Sequence, residues 1–109
     1  WREYYASGGI HWIIPVADDE KHGLGKEYYE TGELKSEGRF NRDKPEGIFK
    51  YYERDGGLSF EECYEGGQLS QRREYYPSGR QSSEQYFFAD KEGTAGRCFE
   101  RYAVEAKGQ

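Results

Sequence analysis

The stretch Gly25-Lys26-Glu27-Tyr28-Tyr29-Glu30-Thr31-Gly32-Glu33-Leu34-Lys35-Ser36-Glu37-Gly38-Arg39-Phe40 decides how this chain is read. Two tyrosines precede a short polar segment ending in Gly, and an apolar residue and a carboxylate then follow at fixed distances. The pattern recurs. The pairs Tyr4-Tyr5, Tyr28-Tyr29, Tyr51-Tyr52 and Tyr75-Tyr76 have second members 24, 23 and 24 residues apart, and Arg101-Tyr102 follows after 26. Each pair runs into a turn: Ala6-Ser7-Gly8, Glu30-Thr31-Gly32, Arg54-Asp55-Gly56 after one extra residue, and Pro77-Ser78-Gly79. Two residues beyond the Gly stands Ile10, Leu34, Leu58 or Gln81, followed by a carboxylate column of Glu37, Glu61 and Glu84. A second turn closes each unit, and Gly23, Gly47 and Gly96 precede the next strand.

Pro77 favours the second position of a type I turn, and the Gly two residues later supplies the left-handed residue of a bulged hairpin with a three-residue loop. In that register Tyr28 lies across from Leu34, while Tyr29 shares the other face with Glu37, because successive strand residues point to opposite sides. A two-residue loop would shift the register by one and exchange these partners. One face is then expected to collect Tyr4, Ile10, Trp12, Ile14, Tyr28, Leu34, Phe40, Tyr51, Leu58, Phe60, Tyr64, Tyr75 and Phe87 as core. The opposite face collects Tyr5, Tyr29, Tyr52 and Tyr76 with Glu27, Lys35, Glu37, Glu61, Glu74 and Glu84. Helix is expected only at 99–107, because Gly recurs too often elsewhere and the aromatics follow no 3.6-residue period.

Composition explains why the sheet needs its aromatics. Only 16 of the 109 residues are Leu, Ile, Val or Phe, below the roughly 20% at which a charged chain tends toward disorder. Eleven Tyr and two Trp compensate, since each ring buries about 150 to 250 Å² while keeping a polar tip near water. A formal charge of −5 disfavours nucleic acid or an anionic lipid surface as the main partner, because both select for clustered Lys and Arg. No apolar run approaches the roughly 20 residues of a membrane-spanning helix. The start at Trp1 and the lack of Met read as a piece of a longer chain. Cys63 and Cys98 have no ligand-spaced partners for zinc, and the repeat register puts them three strands apart, so they are expected to be unpaired in a reducing, cytoplasmic setting.

The repeated unit resembles the MORN repeat, and more closely its bacterial variant in YwqK-type antitoxin proteins. The resemblance covers four units and part of a fifth, nearly the whole of 1–109. It departs from the pattern at Ile10-His11-Trp12-Ile13-Ile14-Pro15, at Gln81, and at a fifth unit that stops after its first strand. It implies an all-β single domain, an elongated single sheet of stacked antiparallel hairpins, each supported by its neighbours. It also implies proteins that act as antitoxins or immunity proteins, as membrane-associated scaffolds, or as appendages on enzymes.

The chemistry-bearing residues fit binding better than catalysis. Equivalent carboxylates in successive hairpins stand two strands apart, about 10 Å, with no unique pocket, which suits no glycosidase pair. His11 and His22 have no motif-placed nucleophile, and no phosphate-loop sequence is present. The tyrosine rows can be cross-strand ladders that only stabilise a thin sheet, or a surface of Tyr29, Tyr52 and Tyr76 with Glu37, Glu61 and Glu84 that receives a partner. The expectation is a non-catalytic protein-binding module without cofactor or metal, an antitoxin or immunity-like protein with a basic toxin as partner. The alternative is a scaffold that docks an assembly to a membrane or envelope. Carbohydrate stacking on the rings and self-association through edge strands near Trp1 and Tyr102 complete the expected contacts.

Overall fold

In the computed structural model, residues 1–87, 98–100 and 102 are described. The strands are β1 (Arg2–Tyr4), β2 (Ile10–Ile13), β3 (Val16–Ala17), β4 (Glu20–Lys21), β5 (Gly23–Tyr28), β6 (Leu34–Asn41), β7 (Lys44–Tyr52), β8 (Leu58–Glu65), β9 (Gln68–Tyr75) and β10 (Gln81–Tyr86). Eight of them form one antiparallel sheet in the order β1-β2-β5-β6-β7-β8-β9-β10, with β3 and β4 as a separate two-stranded ribbon. The all-β architecture of consecutive hairpins is as expected.

Two kinds of turn alternate. In the first, the backbone N–H of Tyr29 donates to Glu33 and that of Gly32 donates to Tyr29, at 2.8 and 2.9 Å. The same pair of bonds recurs at Tyr5 with Gly8 and Gly9, at Glu53 with Gly56 and Gly57, and at Tyr76 with Gly79 and Arg80. These are three-residue loops whose last residue is a left-handed Gly, as the Pro77-Ser78-Gly79 reading anticipates. In the second kind, two residues with positive φ join the strands: Asp18-Asp19, Arg42-Asp43 and Gly66-Gly67. That is the geometry of a type I′ turn, whose twist matches the flanking strands.

The bulge at each first turn changes which residues share a face. Tyr28 pairs with Leu34 as expected, but Glu27 pairs with Ser36, because one residue of the second strand is absorbed between the two pairs. A cross-strand row therefore runs over all eight strands as Glu3, Trp12, Glu27, Ser36, Tyr51, Phe60, Glu74 and Ser83. A second row, one residue away and so on the opposite face, runs as Arg2, Ile13, Lys26, Glu37, Lys50, Glu61, Arg73 and Glu84. Trp12, Ile14, Phe40, Tyr51, Phe60 and Tyr64 share a face as expected. Glu27 and Glu74 join them there instead of the opposite side. Tyr75 moves the other way, its hydroxyl donating to Glu61. Tyr4, Ile10 and Phe87, expected in the core, are exposed.

Rings pack against one another on the aromatic face, two pairs edge to face and one stacked. Phe49 packs at 5.5 Å from Phe40 and 5.3 Å from Tyr64, and Tyr51 stacks on Phe60 at 4.3 Å. Such pairs add about 0.5 to 1.5 kcal/mol each beyond area burial. Phe49 lies directly over Gly38, where a Cβ would fall 2.3 Å from the ring, so only Gly allows the contact.

The other face carries the C-terminal segment. Cys98, Phe99, Glu100 and Tyr102 are helical, so the expected helix is present where it is described, while the rest of 99–107 lies outside the described residues. Tyr102 is therefore not in the first strand of a fifth hairpin, and it packs over Gly47. The expectation of unpaired cysteines is overturned: Cys63 and Cys98 form a disulfide with their α-carbons 6.0 Å apart. The register argument failed because Cys98 is not on a strand at all. It sits on a helix folded back onto β8, and with Phe99 it closes a cluster whose members are nearly inaccessible to solvent. Gln71, fully buried, accepts the Phe99 N–H at 3.3 Å and ties the same helix to β9.

The bridge closes a loop of 35 residues, which in the chain-entropy account contributes about 4 kcal/mol. Reduction with dithiothreitol should lower Tm by roughly 10 to 20 °C. An unchanged Tm, or free thiols in the native protein, would contradict the clamp.

Candidate functional site

The row expected to bind is not one structural column. Turn hydrogen bonds align Tyr5, Tyr29, Glu53 and Tyr76 as equivalents, so Tyr52 belongs with Tyr4, Tyr28 and Tyr75. The extra residue before Gly56 causes the slip. The glycines at 8, 32, 56 and 79 carry the true spacing, and aligning on them instead of on the tyrosine pairs reveals it.

The tyrosines at the turn position do structural work. Tyr5 Oη donates to the Tyr28 carbonyl at 2.7 Å, and Tyr29 Oη donates to the Tyr52 carbonyl at 2.6 Å. Each hydroxyl staples its hairpin to the next one. The Tyr29 ring also lies beneath two cations, Arg54 at 5.2 Å and Lys35 at 5.7 Å. Tyr76, at the last such position, is exposed.

The structure does bring Glu37, Glu61 and Glu84 into one row, but it interleaves them with cations. Lys26, Glu37, Lys50, Glu61, Arg73 and Glu84 alternate in sign across six strands. Tyr52 donates to Glu37 at 3.3 Å, and Tyr75 donates to Glu61. Glu61 is buried, and Arg73 pairs with Glu84 while stacking on Phe99 at 4.3 Å. Burial pushes Glu84 upward, but its bonds from Tyr86 and Arg73 outweigh this and hold it below the usual carboxylate range. The six formal charges of the column cancel, and Arg73–Glu84 is the ion pair formed within it. Beside it, helical Phe99 and Tyr102 wall a groove of about 740 Å³ with Leu24, Arg39, Ile48 and Lys50.

The opposite row has the acidic and aromatic character. It holds Glu3, Glu27 and Glu74 with Trp12, Tyr51 and Phe60, and no Lys or Arg among its eight members. Nearby, Arg72 shows what such a surface holds. Its guanidinium lies 4.0 Å over the Phe60 ring, with nitrogens 3.0 Å from Glu62 and 3.1 Å from Glu74. A ring face and two carboxylates together bind a guanidinium through cation–π and charge-assisted contacts. At the other end of the row His11 stacks on Tyr5 at 4.4 Å and bridges Glu3 and Glu27 at 2.8 and 3.0 Å. Ser36 donates to the far oxygen of Glu27 at 3.0 Å. The carboxylate thus stands between hydroxyl and imidazole, and the His cannot take the Ser proton as a general base must.

Among the described residues no group of three or more His, Cys, Asp or Glu is arranged to hold a metal ion. No protein-family model matches the chain, and no curated protein matches it.

Burial, the Glu61 carboxylate and the hydrogen bond to it push the Tyr75 hydroxyl up to about 12, and burial with the Glu62 charge does the same for Tyr64. Folded values above the unfolded one mean that this stability is complete below about pH 10 and is lost as pH rises through about 12. In an alkaline titration, the tyrosinate absorbance of Tyr75 should appear together with unfolding, and Glu61→Gln should move it to lower pH. Ionisation of Tyr75 near pH 10 in the folded wild type, identified by difference against Tyr75→Phe, would break the assigned contact.

Proposed function

We propose that this chain is a non-catalytic protein-binding module of MORN-type hairpins, an antitoxin or immunity-like protein that covers a basic surface of a toxin. The observation that carries this reading is the asymmetry of the sheet. One face is neutralised by its charge ladder and partly covered by the clamped helix. The other carries Trp12, Tyr51 and Phe60 between carboxylates that pair with His11, Lys35 and Arg72, and Glu3 and Glu74 are each more than two-fifths exposed. Aromatic rings and Arg-directed contacts are what protein interfaces favour, and an acidic surface accelerates encounter with a basic partner. The binding surface proposed is therefore this face, in place of Tyr29, Tyr52 and Tyr76 with Glu37, Glu61 and Glu84.

The scaffold alternative, docking to a membrane or envelope, has less support, since the row with the aromatic rings carries Glu3, Glu27 and Glu74 and no Lys or Arg, whereas lipid surfaces select for Lys and Arg. The disulfide favours an oxidising compartment over the cytoplasm that cysteine scarcity suggested.

Glu3→Lys and Glu74→Lys should each weaken the partner about tenfold or more and slow its association, while the protein keeps its far-UV circular dichroism. Glu37→Lys, on the neutral ladder, should change binding far less. A partner that loses affinity through Glu37→Lys and is indifferent to Glu3→Lys and Glu74→Lys would sink the face assignment.

A further inference from the structure

The bulge after each three-residue turn leaves one residue of the second strand without a cross-strand partner and re-aims its side chain. In the first hairpin that residue is His11, because Glu3 pairs with Trp12 and Tyr4 with Ile10. In the second it is Lys35, between Leu34 and Ser36, and in the third and fourth it is Ser59 and Ser82. The two basic side chains among these both turn toward the carboxylates of the aromatic face. His11 lies with Nδ1 2.8 Å from Glu3 and Nε2 3.0 Å from Glu27, and Lys35 Nζ is 3.6 Å from the same Glu27 oxygen.

An ionised carboxylate only accepts hydrogen bonds, and a neutral imidazole has a single N–H. Contacts at both ring nitrogens are therefore hydrogen bonds only when His11 is an imidazolium. Its other neighbours are rings, Tyr5 stacked at 4.4 Å and Trp12 at 6.0 Å, and an aromatic face attracts a cation. Loss of the proton removes one of the two contacts, and the carboxylates differ in what remains to them. Glu27 keeps Ser36 at 3.0 Å and Lys35, with its side chain 12% exposed. Glu3 has no other side-chain partner among the described residues and is 46% exposed, so Glu3 is the one that turns to water. Two carboxylates then face one cation, Lys35, in place of two.

We propose that His11 is a proton-operated latch on the aromatic, carboxylate-rich face. Protonated, it ties Glu3 of β1 to Glu27 of β5 and balances the charge at this end of the row. Unprotonated, it releases Glu3 and leaves the end with a net negative charge. Histidine changes charge between about pH 5 and 8, while carboxylates stay ionised above about pH 5. The tie is complete at the low end of that window and is lost as pH rises through it, so a basic partner meets the more acidic surface at the higher pH. The latch stands on this geometry alone, whereas its effect on a partner rests on the toxin-binding reading of the face.

Amide hydrogen exchange, corrected for intrinsic exchange rates, tests the latch in the protein by itself. The β1–β2 amides should be at least about threefold better protected near pH 5 than near pH 8, and the β7–β8 amides should show no such difference. The difference should vanish in His11→Phe, which keeps a ring against Tyr5 without ring nitrogens, and in Glu3→Gln, which has no charge to hold an imidazolium. Equal protection at the two pH values in wild type, or a difference that survives in both variants, would overturn the latch. An oligo-arginine peptide then probes the face. It should bind wild type about threefold more tightly near pH 8 than near pH 5, and His11→Phe near pH 5 as tightly as wild type near pH 8. Peptide binding that ignores pH, beside a latch that shows in exchange, would uphold the latch and overturn the assignment of this face to basic partners.

Discussion

The three-residue turn with its bulge is the constraint on which the rest of this molecule depends. Its two backbone hydrogen bonds fix where each second strand begins, and because side chains alternate with period two, that choice assigns every later residue to a face. Moving it by one residue would put Glu37, Glu61 and Glu84 among the rings and Tyr51 and Phe60 among the charges. The pairing of a neutral ladder on one face with an aromatic, carboxylate-rich row on the other is a consequence of turn chemistry repeated four times.

Stability in so thin a protein comes from contacts between neighbours more than from a deep core. Ile14, Phe49, Cys63, Cys98 and Phe99 are the buried apolar residues among those described, and several fully buried positions are polar, Ser36 and Gln71 among them. Ser36 donates to Glu27, and the Gln71 Oε1 accepts the Phe99 N–H while its Nε2 is buried without a hydrogen-bond partner among the described residues. Ring pairs, tyrosine hydroxyls on the carbonyls of the next hairpin and the disulfide-held helix do what a larger apolar core does elsewhere. The helix also makes the two faces inequivalent, and this inequivalence supports the proposal that the face which no described helical residue covers is the one that meets a partner.

The hairpins, their three-residue loops and the Tyr28–Leu34 pairing were legible because Gly and Pro dictate turn conformation locally. The faces beyond each turn were not, since the bulge absorbs one residue without any mark in the composition. Tyr51 shows the cost: aligned with Tyr28 by its tyrosine pair, it stands instead where Glu27 stands, opposite Phe60. The spacing of Gly8, Gly32, Gly56 and Gly79 held the answer, because the turn needs its left-handed residue more strictly than it needs tyrosine before it. The Cys63–Cys98 bridge was out of reach for another reason. It joins a strand to a helix that breaks the repeat, and no spacing rule drawn from the repeat applies to a segment that has left it.

Nuclear Overhauser contacts across β7 and β8 test the register most directly, because the two alignments make opposite assignments there. The account predicts that the Tyr51 ring is close to the Phe60 ring, 4.3 Å between centroids, and that the Tyr52 backbone faces Leu58. Contacts of Tyr51 with Leu58, with Tyr52 at the turn in the place of Tyr29, would contradict it and return the carboxylate column and the turn tyrosines to a single surface.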